Sequence, residues 1–480
     1  MEYPGLIGPA YQSAAVLADN EVCQNWYAEQ TESSTAAAPA ALLPTQGVLP
    51  DSVVGAPAPT RALFTNNGRT FTVAGAGFYE RIVAASGAVS TTRWGMVLLD
   101  GNPATICSNG APGHQVFVTS GGQGYLFDLI SSAFTTVVAS QCSQGAYLDG
   151  FFLYLNPITS TLWVSALLDG TTWPALQFAV RLTAPDPWVA LLVVDRLIFL
   201  LGQQTSDVYW NQGTAPMPFG PIQEAFMEQG IVAPYSLARI GASCCWLSQS
   251  EQGRATVVQT SGYTPGRIST HAVETRLDSG VIADAVADSF EQRGHQHYCL
   301  SLPTLNQTWV YDAKSTWWHQ RATTVPRTGV TGRWRPTYFA SLASTLLCGD
   351  SQTGALGVVS STTGTEIDGA AIQRVRQGPR YAADQKLVTV HRFQLLIDAG
   401  VGLETGLGQT PQLMLRTSMT GGETWGSERW QTAGPIGAYS TRVVWHQLGQ
   451  GRNFVPRIAT SDPAPFRLIS ATFAPTVGAF

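Results

Sequence analysis

Charge is scarce in this chain. Of 480 residues only 12% are Asp, Glu, Lys or Arg, about half the ~25% of an ordinary soluble domain. Lysine is almost missing: Lys314 and Lys386 stand alone, and the other 25 of the 27 basic residues are arginines. A monomer keeps apart from its neighbours with a well-charged surface, so much of this surface is expected to be covered by subunit contacts, where arginine suits fixed bidentate pairs. The net charge of −5 excludes a protein that clamps nucleic-acid phosphates over its whole face. No Cys-x-x-Cys pair occurs among Cys23, Cys107, Cys142, Cys244, Cys245, Cys299 and Cys348. That excludes a zinc knuckle or a disulfide framework and leaves reduced, mostly buried thiols. Long apolar runs are lacking too. The strongest, Pro187–Gly202, is cut by Asp195-Arg196 and reads as two buried strands joined at a tight turn rather than as a membrane span. The opening MEYPGLIGPA has neither the basic region nor the apolar stretch of a signal peptide, so the expectation is a protein kept in a reducing cytoplasm until it assembles.

Catalytic patterns are equally thin. There is no Gly-x-Ser-x-Gly elbow, and Cys244-Cys245 lies in an apolar SCCWL run that reads as core. The glycine-rich stretches Gly121–Gly124 and Gly400–Gly408 are not followed by Lys-Ser/Thr, so no phosphate cradle is indicated. His295 and His297, two residues apart, would share one side of a strand. No carboxylate or cysteine follows at ligand spacing, so they read as surface or interface histidines. No catalytic, cofactor-binding or metal-ligating residue is expected.

What is present is strand. Hydrophobic residues make up 44% of the chain, which excludes wholesale disorder, and 48 Gly with 28 Pro make it loop-rich. Short β-type runs such as RTFTVA, QVFVTS, GFFLYLN, RLIFLLG and QTWVYD recur about every ten residues between turn signals, the pattern of an all-β sandwich, barrel or propeller. Leu277–Gly294 is the one amphipathic helix candidate, with Val281, Ile282, Ala285, Val286 and Phe290 near one face.

Composition divides the chain into three. Residues 1–60 contain no Lys or Arg and carry −6. They include the Ala/Pro-rich Ser34–Pro50, expected to lie as an extended connector on other parts of the protein. Residues 61–368 carry −4 and residues 369–480 carry +5, so the two ends attract. Two stretches approximate the Asp-box, a hairpin turn with a tryptophan packed beneath it. Ser165, Asp169, Gly170 and Trp173 form one, and Ser418, Gly422 and Trp425 the other, with Thr420 in place of the aspartate. Because such turns recur in propeller blades, they support a propeller, at four strands and about 40–50 residues per blade.

From Tyr147 onward a longer pattern emerges: YLDGFFLYLN, LIFLLGQQTSDVYWNQG, PFGPIQEAFMEQGIVAPYSLARIG, GYTPGRISTHAVE, and NQTWVYD followed by WWHQR. With NWYAEQ (Asn25–Gln30), LPTQGVL, MLRTSMTGGETWGSERW and TRVVWHQLGQGRN, this order resembles the packaged-DNA stabilisation proteins of short-tailed bacteriophages, which form the tail hub or nozzle. The resemblance spans nearly the whole chain. It implies a non-enzymatic virion protein, assembled in the host bacterial cytoplasm and located in the tail. Six copies would form a homohexameric ring below the portal and adaptor, carrying the tip or needle and the fibres or spikes. Double-stranded DNA would pass through the lumen without sequence-specific binding, and no part of the chain would insert in a membrane. The ring would extend the DNA channel, retain the genome and take part in ejection. The implied fold is all-β: a propeller of about six or seven blades over residues 61–368, with a smaller β platform built from the arm 1–60 and the segment 369–480. Arg442 and Arg452 in the basic end are candidate interface residues. The alternative is a propeller that binds or cleaves host-surface glycans, with the aromatic Trp309–Arg321 as a sugar platform.

Overall fold

The computed structural model describes residues 1–478 apart from 34, 37, 56, 251, 326 and 327. Ser34 and Ala37 of the Ala/Pro-rich connector thus lie outside the described residues.

The middle of the chain folds into seven four-stranded antiparallel units. Six are contiguous in sequence, beginning with the strands Thr60–Asn66, Thr105–Ser108, Gln144–Leu148, Trp188–Val194, Ala238–Ile240 and Val286–Gln292. The seventh takes three strands from Pro336–Leu342, Thr345–Asp350 and Ala355–Ser360, and its fourth from Gly47–Val53 in the N-terminal part. Each unit's first strand packs against the first strand of the next, and that of the seventh returns to that of the first. The units are therefore the blades of a closed seven-bladed propeller, and the pairing of Gly47–Val53 with Ala355–Ser360 ties the start of the ring to its end.

Why these residues make blades follows from what covers them. A blade's middle strands are packed on both faces by its neighbours, so they lose the alternation of a half-solvated strand. Phe151–Asn156 and Leu197–Gly202 are buried from their second residue onward. The core therefore runs as separate apolar clusters between blades: Phe71, Phe78, Val116 and Phe127 between the first and second, Phe117 and Phe152 between the second and third. Positive φ at Asp149-Gly150 and Asp195-Arg196 forms tight two-residue hairpins whose twist matches the strands. The second is the turn expected inside Pro187–Gly202, with Trp188–Val194 and Leu197–Gly202 paired on either side.

The two ends of the chain build a sandwich. One sheet orders Asn20–Gln24, Arg374–Gln377, Val455–Thr460, Gln412–Ser418 and Arg429–Thr432; the other orders Trp26–Gln30, Ala40–Pro44, Leu468–Val477, Val388–Ile397 and Val443–Gly451. Aromatic rings fill the space between them, with Tyr3 edge-on to Phe473 at 5.2 Å and to Phe393 at 5.7 Å. The first sheet continues into the sixth blade through one parallel bridge between Gln24 and Gln320. The chain steps from one sheet to the other at Asn25, whose φ is 55°.

Two sequence expectations fail here. The helix is His271–Leu277, while Val286–Gln292 is the first strand of the sixth blade. Asp278–Gly280 interrupts the candidate helix, and Val286, Asp288 and Phe290 also satisfy a two-residue period, which seven ladder pairs with His295–Ser301 then select. His295 and His297 are not surface residues: they are 1% and 0% exposed, because the strand carrying them lies inside the blade under the N-terminal arm.

Candidate assembly surfaces and the buried seam

The first Asp-box-like turn lies in the third blade, between Thr161–Val164 and Phe178–Val180. The Ser165 hydroxyl is buried and accepts from the Phe152 amide at 3.0 Å. Asp169 Oδ1 accepts from the Thr171 amide at 2.9 Å and hydroxyl at 2.7 Å. Partial burial works against this carboxylate, yet these hydrogen bonds hold it below its ordinary pKa. Gly170 donates to Gln115 Oε1 at 2.8 Å, which binds the turn to the second blade. Trp173 donates to the Gly170 carbonyl at 3.0 Å and packs on Phe117 and Tyr154, with ring centroids 5.5 and 4.9 Å away.

The second turn belongs to the sandwich, between Gln412–Ser418 and Arg429–Thr432. Ser418 Oγ accepts from Gly422 at 2.8 Å, and Thr420 Oγ1 accepts from Thr424 at 2.9 Å in the place an aspartate would fill. Trp425 is half-buried, and its ring lies under the Arg457 guanidinium at 5.9 Å. The same local chemistry thus closes hairpins in both parts of the molecule.

Arg442 and Arg452 are exposed and flank Val443–Gly451 at opposite ends. At ~3.3 Å per residue they stand about 30 Å apart and cannot grip one small group. Arg442 donates to Gln394 Oε1 at 3.0 Å and Arg452 to the Gln385 carbonyl at 2.8 Å. Several apolar side chains are left in solvent without a signal in the sequence. Leu396, Ile436 and Tyr439 protrude from the sandwich, and Leu167, Leu176 and Leu182 from the third blade, with Leu182 91% exposed. No periodic pattern signals them, because they lie in loops and at strand ends.

Between propeller and sandwich runs a buried polar seam. Arg376, fully buried, donates to the carbonyls of Leu6 at 2.6 Å, Pro9 at 2.9 Å and Gly5 at 3.0 Å and pairs with Glu21, pinning the arm to the sandwich. Asn25 donates to the carbonyls of Ala322 at 2.8 Å and Gln373 at 2.7 Å and accepts from the Ala322 amide at 2.9 Å. His295 Nδ1 lies 2.8 Å from Asp312 Oδ2, to which Ser315 also donates at 2.7 Å. The three residue types are those of a hydrolytic triad, but the serine bonds the carboxylate rather than the imidazole, and all three side chains are buried. The arrangement holds a hairpin and offers no nucleophile–base pair. Against burial, the bonds from His295 and Ser315 hold the Asp312 carboxyl low, whereas burial beside the Arg321 cation pushes His319 down to about 3. Arg321 itself is stacked over Trp334 at 4.6 Å and Phe290 at 4.9 Å. Among the described residues no group of three His, Cys, Asp or Glu side chains is placed to hold a metal ion, and no helix is long and apolar enough to cross a membrane.

Solved structures similar to this chain include a chain of the S. cerevisiae Dbp5–Nup159–Gle1 complex (11% identity, 70% of this chain and 97% of that one, TM-score 0.42). A putative 6-phosphogluconolactonase from Bacteroides uniformis aligns at 11% identity over 70% of this chain and 100% of its own, with a TM-score of 0.41. The extracellular domain of a putative one-component system from B. thetaiotaomicron aligns at 11% identity over 89% and 57%, also at 0.41. Similarity at this level carries no functional content. A comparison with curated proteins finds no sequence match. The family comparison is of a different order. Residues 24–364 match the family described as bacteriophage P22 Gp10, beta-propeller, and residues 373–474 match bacteriophage P22 Gp10, beta-sandwich. These two matches cover the two folded parts in the order described above, and the chain belongs to the bacteriophage P22 Gp10 family of phage stabilisation proteins.

Proposed function

We propose that this chain is the tail-hub subunit of a short-tailed phage. Six copies form a ring below the portal and adaptor, prolong the DNA channel, hold the packaged genome in, and carry the tip and the fibres or spikes. The observation that carries this reading is the pair of family matches, in order, over the propeller and the sandwich. Other features agree. Only 12% of residues are charged, and bare leucines stand on the third blade, as expected of a protein that works inside an assembly. Residues 1–368 sum to −10, a charge that keeps phosphates from sticking as DNA passes. Arg442 and Arg452 contact a neighbouring copy or an adjoining tail protein, and the Asp-box-like turns at Trp173 and Trp425 are structural. The protein catalyses nothing.

The reading is tested with phage heads that have been packaged in the absence of this chain and carry portal and adaptor. Such heads are expected to lose their DNA to added nuclease, and the purified protein to restore protection. Heads that keep their DNA without it would contradict the proposal, as would a purified protein that ignores the heads and releases sugar from host polysaccharide.

A further inference from the structure

Where propeller, arm and sandwich meet, a narrow cleft of about 70 Å³ is walled by three arginines and by no carboxylate. Arg293 comes from the hairpin turn of the sixth blade, Arg374 from the first strand of the sandwich proper, and Arg467 from the lead into its last strand. The fourth wall is the connector leaving the seventh blade at Thr363-Gly364. Its backbone is pressed so close to the sandwich that a Cβ on Gly364 would lie 2.6 Å from the Pro463 carbonyl oxygen.

Two of the three cations are differently occupied. Arg467 pairs with Asp398 at 2.8 Å and is half-exposed. Arg374 is 2% exposed; its Nη1 reaches the Asp462 carbonyl at 3.1 Å and its Nη2 the Thr45 carbonyl at 3.4 Å, while its Nε has no partner. Burial pushes Arg374 down to about 10. The carboxyl acting on it, Glu366, is itself buried and raised to about 7, a weak counter-charge at neutral pH. A buried guanidinium N–H left without an acceptor is costly, so a cleft of this make-up calls for an anion with several oxygens. A cleft of this size has room for one tetrahedral oxyanion.

We propose that this cleft binds a phosphate-class oxyanion that bridges Arg293, Arg374 and Arg467 and so staples the propeller to the sandwich. The group is a free inorganic ion rather than a phosphate of passing DNA, because a duplex cannot enter so narrow a space.

A ligand held by the folded state raises its stability in proportion to its concentration over Kd. Inorganic phosphate or sulfate is expected to raise the Tm of the full chain by about 2–4 °C above sodium chloride of equal ionic strength. Arg293 and Arg467 are exposed, so Arg293→Ala and Arg467→Ala should fold; each is expected to weaken the shift, and the double variant to abolish it. Arg374→Gln is a further probe whose failure to fold would leave the test on the other two intact. No shift above chloride would overturn the proposal. So would an undiminished shift in the double variant, or a stabilisation by short duplex DNA that inorganic phosphate does not reproduce.

Discussion

The propeller and the sandwich use the same hairpins and the same turn chemistry, yet they are assembled in different ways. Each of the first six blades is a single stretch of chain, and its ladders join neighbours in sequence. The sandwich has no such autonomy. Asn20–Gln24 pairs with Arg374–Gln377, and Ala40–Pro44 with the strand that begins at Leu468. The propeller's stability is thus a sum of local units and the clusters between them, closed once by Gly47–Val53. The sandwich instead rests on the return of the chain's beginning to its end, fixed by a few buried polar residues. Loop-closure entropy must be overcome before its contacts form. Substitutions in the seam should therefore hurt more than substitutions in a blade of equal burial.

The largest effect is expected at Arg376. Replacing it by alanine leaves the mostly buried Glu21 carboxyl unpaired and frees the carbonyls of the arm, a loss of about 3–5 kcal/mol. Urea unfolding would measure it, and protease cleavage within residues 1–20 should precede loss of the propeller. Asn25→Ala removes three buried hydrogen bonds at the crossing point and is expected to cost about 3 kcal/mol. Equal melting of wild type and Asn25→Ala would break the comparison at its centre.

Smaller differences sharpen it. Trp173 packs on two rings within its cluster, whereas Trp425 lies under one arginine. Both are half-buried. Trp173→Ala is expected to cost about 2 kcal/mol and Trp425→Ala about 1, below the range for fully buried tryptophan. Denaturation midpoints of the two variants, side by side, check the ranking.

A last effect depends on pH. Burial, reinforced by Asp368, raises the Glu366 carboxyl to about 7 from 4.5. Between those values the folded chain holds a proton that the unfolded chain releases, so this residue's contribution to stability falls as pH rises through the window. Glu366→Gln has no proton to lose. Its stability relative to wild type should be level below pH 4.5 and should rise above pH 7 to a gain of at most about 3 kcal/mol, read from urea midpoints at pH 4 and 8.

What the sequence disclosed divides along the same line. Blades are written locally: RLIFLLG, GFFLYLN and QTWVYD between turn residues announce strands, and Asp195-Arg196 announces a hairpin. The partnership of Gly47–Val53 with Ala355–Ser360 has no such signal, because pairing across some three hundred residues leaves no trace in spacing or composition. Val281, Ile282, Ala285, Val286 and Phe290 fit a helical period as well as Val286–Phe290 fits a strand; tertiary pairing decided between them. His295 and His297 look solvent-facing from their neighbours. Asp312 lies on the paired strand and Tyr27, 5.3 Å from the His295 ring, on the distant arm; these are the residues that bury them. The residues of the two Asp-box-like turns can be singled out in the sequence because they stand within nine positions of one another. The seam at Asn25, Arg376 and Arg321 escaped for the opposite reason, since each of these residues has partners from elsewhere in the chain.

The most direct test of the hub assignment is the mass of the purified protein by native mass spectrometry, alone and with the portal–adaptor connector of its own virion. A species near 51.3 kDa is expected to convert on the connector into a ring with six times that mass. A protein that remains a monomer in the connector's presence, or forms a trimer indifferent to it, would contradict the account.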